Sequence, residues 1–300
     1  MRRVAEIEGR RLSLSNLEKD LYPSYGFTKA QILEYYQKIS PFILPHLKDR
    51  ALTLKRFPDG VAGEYFYEKR CPSHRPAWVA TAEVVHGDGE RMTACLANDL
   101  NTLIWVENLA SIELHVPLSK AATHETPDSI VFDLDPGERT NVLDCARVAL
   151  IIRDLLVQLR LACYVKTSGQ KGLHVFVPLN RTDTTFVQAK KFSKTVADVL
   201  QRNYPNLVTA RMAKEERKGR VFINWAQNDS KKTMICVYSL RARERPTVSF
   251  PLAWDELEYL AGQGEQEKFQ VLHSEALART KKNGDPFLEV LVKQQKLPYL

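Results

Sequence analysis

No run of apolar residues in this 300-residue chain is long enough to cross a bilayer. The first residues, Met1-Arg2-Arg3-Val4-Ala5-Glu6-Ile7-Glu8, lack the apolar segment of a secretion signal. The expectation is a cytoplasmic protein without a membrane partner. Cysteine is scarce, scattered and odd in number (Cys71, Cys95, Cys145, Cys163, Cys236), which argues for reduced thiols and against a disulfide framework. Cys71-Pro72-Ser73-His74 could supply half a zinc site, but no second ligand pair stands at matching spacing. There is no repeat, no low-complexity tract and no long Gly/Ser/Pro linker, so the chain reads as a single domain over 1–300. The spacing of glycine and lysine in Ser168-Gly169-Gln170-Lys171-Gly172 is wrong for a P-loop, and no Lys-x-Asp-Gly ligase signature occurs.

What is present is basic and globular. Apolar residues make up 44% and charged residues 26%, ordinary for a folded domain. The surplus of Lys and Arg gives +7 at pH 7, which favours an anionic partner, nucleic acid first. Ser129-Ile130-Val131-Phe132-Asp133-Leu134-Asp135-Pro136-Gly137 reads as a buried strand stopped by a Pro-Gly turn. Alternation puts Asp133 and Asp135 on one face and Ile130, Phe132 and Leu134 on the other, toward a core. Two adjacent carboxylates repel unless a cation sits between them, and hard oxygen ligands suit Mg²⁺ or Mn²⁺. The plain alternative is a strand end with two solvated aspartates.

The rest of the chain supplies cations and turns. Asn16 to Pro23 reads as a short helical turn closed by proline, and Thr28-Lys29-Ala30-Gln31 as a capping box opening a helix through about Ser40. Lys19 and Lys29 flank the loop between them, either as solvated surface lysines or as a phosphate site beside a helix start. Lys55 and Arg56 lie on a strand over 51–57. Tyr65-Phe66-Tyr67-Glu68-Lys69-Arg70 interleaves rings with charge, as base-stacking surfaces do and as half-buried strands also do. Further helices are expected over about 95–109, 141–159 and 184–202, and a mostly helical tail from Trp254. Strands are expected at 112–117, 163–167, 173–178 and 221–225, with a charged loop at 214–220 and a polar turn at His86 to Arg91. Ser168 to Gly172 is a glycine turn with a central lysine, able to aim N–H groups and an ammonium at an anion. Arg241 and Arg243, two apart, are read as sharing a strand face suited to phosphates.

Taken together, Asp133-Leu134-Asp135, Ser168-Gly169-Gln170-Lys171-Gly172-Leu173-His174 and Ser239-Leu240-Arg241-Ala242-Arg243 resemble the polymerase domain of bacterial ligase D, of the archaeo-eukaryotic primase superfamily. The resemblance covers nearly the whole chain. It implies an α+β primase-like fold of two packed lobes with the metal site in the cleft between them. It also implies a metal-dependent nucleotidyltransferase that extends DNA ends, prefers ribonucleotides and acts in non-homologous end joining at the nucleoid. By the same resemblance Asp133 and Asp135 hold two ions, Mn²⁺ or Mg²⁺. Lys55, His115, Ser168, Lys171, Gln227, Arg241 and Arg243 line the site for an NTP or dNTP. Lys19 and Lys29 bind the 5′-phosphate of a gap or recessed end, and Phe66 and Tyr67 pack on the template. Arg217 binds DNA, and the loops at 86–91 and 214–220 help bridge DNA ends. The implied partners are a separate ligase domain or protein and the end-binding protein Ku.

One position departs from the family pattern, which has a third metal-binding aspartate where this chain has Asn224. An amide offers one neutral oxygen in place of a carboxylate. This leaves open a catalytically weakened module that bridges ends and holds nucleotide. A replicative-type primase that starts strands without a primer is a further alternative.

Overall fold

A computed structural model describes residues 2–85 and 89–298; of the polar turn read at 86–91, His86, Gly87 and Asp88 lie outside the described residues. The chain divides into two compact units, each gathered from three stretches. The first takes Met1–Ala122, Thr233–Ser249 and Val271–Asp285; the second takes Thr123–Lys232, Phe250–Gln270 and Pro286–Leu300.

The first unit is built around the helix Lys29–Leu47. Thr28 caps it in the expected box, its hydroxyl accepting from Gln31 N while the Gln31 side chain accepts from Thr28 N. The helix runs past Ser40, where the sequence reading ended it, despite Pro41 and Pro45. Pro41 cannot donate to the Gln37 carbonyl, and Ser40 Oγ donates there instead at 2.8 Å, so the turn survives. Its buried face carries two tyrosines: Tyr35 Oη donates to Tyr238 O at 2.7 Å and Tyr36 Oη to Ile112 O at 2.9 Å. The segment read as a helical turn at Asn16 to Pro23 is instead a turn followed by a short strand, Asp20–Tyr22, paired with Phe27–Thr28. The hairpin of Arg2–Ile7 and Arg10–Ser15 had no counterpart in the sequence reading. A four-stranded sheet carries the cations in the order Met234–Ile235, Glu113–Val116, Thr53–Arg56, Phe66–Glu68.

The expectation of reduced thiols is corrected here for two of the five cysteines. Cys71 and Cys95 form a disulfide with Cα atoms 4.9 Å apart. Cys71 N donates to Thr93 O at 2.7 Å, which lays the loop after Phe66–Glu68 along the strand Arg91–Cys95. A sequence separation of 24 hid that proximity. Strand occupies Arg91–Cys95, so the following helix starts later than expected, at Leu100–Asn108.

The second unit is a six-stranded sheet in the order Val208–Thr209, Val221–Asn224, Ser129–Pro136, Leu173–Pro178, Tyr164–Thr167, Pro251–Leu252. Ile130, Phe132 and Leu134 are fully buried, packed with Ile152 of the helix Val142–Gln158 and Phe192 of the helix Phe186–Asn203. Burying each such side chain contributes about 1.5–3 kcal/mol relative to leaving it in water, so this face fixes which way the aspartates point. The helix Val142–Gln158 has the expected Asn141–Asp144 capping box. Among the described residues no helix is long and apolar enough to cross a membrane.

Candidate metal centre and cation cluster

In the second unit the central strands are in a register that lines up one row of polar side chains. Lys166 pairs with His174, His174 with Asp133, and Asp133 with Asn224, across four neighbouring antiparallel strands. Residues directly opposite each other share a sheet face, so the side chains meet in sequence. Lys166 Nζ lies 2.9 Å from His174 Nδ1, His174 Nε2 3.3 Å from Asp133 Oδ1, and Asn224 Nδ2 3.0 Å from Asp133 Oδ2. A lysine ammonium can only donate, so Nδ1 accepts and the imidazole proton sits on Nε2, facing the carboxylate. Asp135 projects from the same face two residues on. Burial, then the charge of Asp133, push its carboxyl up to about 7, while Arg217 pulls the other way.

Two glycines let loops close on this strand. A Cβ on Gly172 would lie 2.1 Å from Leu134 O, so only glycine lets the Ser168–Gly172 turn abut the backbone between the two aspartates. Ser168 Oγ accepts from the N–H groups of Gln170 and Gly172, both at 3.1 Å, which shapes that turn. A Cβ on Gly137 would lie 1.8 Å from Arg217 O, and Gly137 N donates to Arg220 O. That contact brings the charged loop, with its short turn Lys214–Arg217, to the end of the double-aspartate strand. The Arg217 guanidinium lies 3.8 Å from the Phe222 ring centroid and donates to Met212 O. Gln227 lies in the single turn Trp225–Gln227 that follows Asn224.

The residues fit a hard cation. Asn224 Nδ2 faces Asp133, and its Oδ1 is buried with no hydrogen-bond partner, an acceptor left over beside two carboxylates. Among the described residues no three His, Cys, Asp or Glu side chains gather as a metal-binding group. The third group here is an amide.

In the first unit the cations gather around one carboxylate that the sequence reading missed. Glu113, 1% exposed, receives His115 Nε2 at 2.9 Å, Arg241 Nε at 3.3 Å and Ala242 N at 3.1 Å, with Lys55 Nζ at 3.8 Å. Burial alone would raise Glu113; the hydrogen bond from His115 and the charges of Arg241 and Lys55 overcome it and hold the carboxyl at about 2. Burial keeps His115 below its ordinary value, so the imidazole is neutral near pH 7. The available signal was local: Glu113 and His115 are two apart on one strand, and Lys55 is opposite Glu113 in the neighbouring one. Tyr67 is opposite Lys55 on the other side. Phe66 lies beneath Arg56, 5.1 Å from guanidinium to ring centroid.

The arginine pair is corrected: strand ends at Arg241, and Arg243 sits exposed in the following bend, its N–H turned back to Arg241 O. Alternation therefore does not extend to Arg243. Lys19 and Lys29 are neighbours along the backbone, where Lys29 N donates to Lys19 O at 2.8 Å. Lys19 Nζ holds Asp59 and Lys29 Nζ holds Ser15 O. Burial, then Arg56 and Lys19, lower the Lys29 ammonium to about 8.

Comparison with known proteins adds a name to this geometry. Residues 28–287 match the family model described as LigD, primase-polymerase domain. The multifunctional non-homologous end joining protein LigD of Mycolicibacterium smegmatis is 41% identical over 249 residues, 82% of this chain and 32% of that protein. The bifunctional LigD of Bacillus subtilis is 30% identical over 93% of this chain and 44% of its own length. The chain thus spans about a third to under a half of these relatives. The solved polymerase domain of Mycobacterium tuberculosis ligase D, in complex with DNA, superposes with a TM-score of 0.86 at 34% identity, covering 95% of this chain and 99% of that one.

Proposed function

This chain belongs to the LigD primase-polymerase domain family, and from that premise we propose that it adds nucleotides to DNA ends under the direction of a template during non-homologous end joining. The observation that carries the reading is the polar row at Asp133, with Asp135 two residues on from the same face and Asn224, its Oδ1 partnerless, opposite Asp133. Asp133, Asp135 and Asn224 would hold Mn²⁺ or Mg²⁺. Such ions, when bound, neutralise the attacking and leaving oxygens of a phosphoryl transfer. In the second unit, Ser168, Lys171 and Gln227 present hydroxyl, ammonium and amide groups suited to a nucleotide, and Arg217 suits a DNA backbone. In the first, Arg241, Arg243, Lys55 and His115 suit phosphates and ribose, with Phe66 and Tyr67 exposed for a template base. Ribonucleotide preference, Ku and a ligase partner remain part of the proposal through the family.

The testing experiment is primer extension on gapped, 5′-phosphorylated DNA with NTPs and Mn²⁺, beside a gel-shift assay on the same DNA. Template-directed addition that Asp133→Ala abolishes while DNA binding persists supports the reading. Asn224 favours a second one: its amide replaces a charge that ions would need, leaving an end-bridging module. DNA binding with no incorporation at any Mn²⁺ concentration would select that module. Synthesis on unprimed template would select a primase.

Lys19 and Lys29 give a pH-dependent expectation. Lys29 is cationic below about 8 and neutral above it, so its attraction for phosphate is present at pH 7 and is lost as pH rises through that value. Gapped DNA with a 5′-phosphate should bind roughly ten- to a hundredfold tighter than its 5′-hydroxyl counterpart at pH 7, as for a charge-assisted hydrogen bond. That advantage should shrink toward pH 9 and vanish in Lys19→Ala/Lys29→Ala. Equal losses on both DNAs would mean that the lysines supply only diffuse attraction.

A further inference from the structure

The Lys55 ammonium is enclosed by three aromatic rings: its Nζ lies 4.0 Å from the Tyr65 centroid, 5.1 Å from Phe57 and 5.7 Å from Tyr67. The fourth side is Glu113, at 3.8 Å, too long for that ion pair alone to fix the direction of a four-carbon stem. Tyr65 is the nearest ring and is half exposed (51%), as Tyr67 is, whereas Phe57 is core; Tyr67 is farther from the ammonium and packs against His115. The Tyr65 ring is itself held on two sides, tilted against Phe57 at 5.4 Å and perpendicular to Tyr67 at 6.0 Å. A half-exposed tyrosine wedged between two rings, with its face on an ammonium, is placed to restrict that ammonium. Cations bind ring faces within about 6 Å, and more strongly where water is excluded. The Lys55 side chain is only 14% exposed.

We propose that Tyr65 is a positioning residue, a ring clamp that holds the Lys55 ammonium where an incoming nucleotide's phosphate or ribose oxygen meets it. The inference rests on the reading of Lys55 as a nucleotide-binding residue, and goes beyond it by assigning the clamp. The hydroxyl of Tyr65 plays no part in it; the ring face does. Phenylalanine at this position therefore keeps the clamp, and leucine, similar in bulk along the stem but without a π face, removes it.

The test uses the whole chain and three variants, Tyr65→Phe, Tyr65→Leu and Lys55→Ala, with Tyr65→Leu also placed in the Lys55→Ala background. The Tyr65→Leu protein should show a nucleotide KM raised roughly three- to tenfold with kcat changed less, and Tyr65→Phe should stay within about twofold of the parent. In the Lys55→Ala background, Tyr65→Leu should add nothing, since the two side chains act as one. A second readout does not depend on activity: the Lys55 Hε resonances should lie upfield from ring current, stay there in Tyr65→Phe and move downfield in Tyr65→Leu. A Tyr65→Leu effect of equal size with and without Lys55 overturns the clamp and makes Tyr65 an independent base-stacking surface, the more so if DNA affinity falls with it. A nucleotide KM indifferent to Lys55→Ala overturns the site reading and the inference with it, whatever the resonances show. A Lys55-dependent KM with unmoved Lys55 resonances overturns the inference alone.

Discussion

Asn224→Asp should raise the single-turnover extension rate at saturating Mn²⁺ by at least about tenfold. Changes one shell out from a metal typically cost about 10–100-fold in affinity or activity, and Asn224 stands nearer than that, 3.0 Å from Asp133. Nucleotide brings its own anionic oxygens, so the ion that accompanies it depends least on a third carboxylate. On the proposed reading, an ion held by Asp133, Asp135 and residue 224 toward the primer hydroxyl would depend on that carboxylate most. The same substitution should have an opposite effect on the metal-free protein. Asn224 Nδ2 now donates to Asp133, a hydrogen bond to a charged group of the kind worth roughly 1.5–3 kcal/mol. Aspartate would replace that donor with a third repelling carboxylate. The metal-free variant should therefore melt lower than the parent, and Mn²⁺ should raise its melting temperature by more than it raises the parent's. Equal extension rates in the two forms would mean that Asn224 is not a ligand, or that another carboxylate already serves.

Glu113→Ala should be the most damaging single change in the first unit. It would leave Arg241 and Lys55, 11% and 14% exposed, facing each other without the carboxylate that neutralises them. Removing one member of a buried ion pair typically costs 3–5 kcal/mol, enough to consume a large part of a domain's stability. Glu113→Gln is the finer probe, because it keeps the volume and one acceptor for His115. It should fold, and should lose nucleotide affinity more than DNA affinity, since His115 and Arg241 lose the carboxylate that holds them and Lys55 loses its counter-charge. Chemical denaturation and nucleotide titration of both variants measure this. A Glu113→Ala protein as stable as the parent would show that the cations reach solvent and need no partner.

The parts legible in the sequence were those written locally. The capping boxes at Thr28 and Asn141, the alternating strand around Asp133 and Asp135, and the Ser168–Gly172 turn each depend on residues within a few positions. Lys19 and Lys29 stand at the open end of one small hairpin, Asp20–Tyr22 with Phe27–Thr28, so their backbone contact is local too. Glu113 was not legible, since its meaning comes from register: only when Lys55 is set opposite it and Arg241 reaches it does a buried glutamate become the anchor of a cation cluster. The same holds for the run from Lys166 through His174 to Asp133, which needs three strands in place. The helix beyond Ser40 was hidden by two prolines and restored by one hydroxyl. Arg243 was misplaced because alternation was carried past the residue where the strand stops.

The three-stretch make-up of each unit has a consequence for how the chain reaches this state. Tyr22 Oη donates to Arg241 O across 219 positions, and Met234–Ile235 pairs with Glu113–Val116 across more than a hundred. Closing such loops costs entropy before any contact returns it, and chains dominated by distant pairings fold slowly. During synthesis the first unit lacks its sheet edge until Ile235 is made and lacks the helix His273–Asn283 until some forty residues later. Its helix Lys29–Leu47 spends that interval with apolar side chains and buried tyrosines still waiting for partners. Nascent chains of this topology therefore finish folding late, and the interval before that is when they are exposed to chaperones and to aggregation.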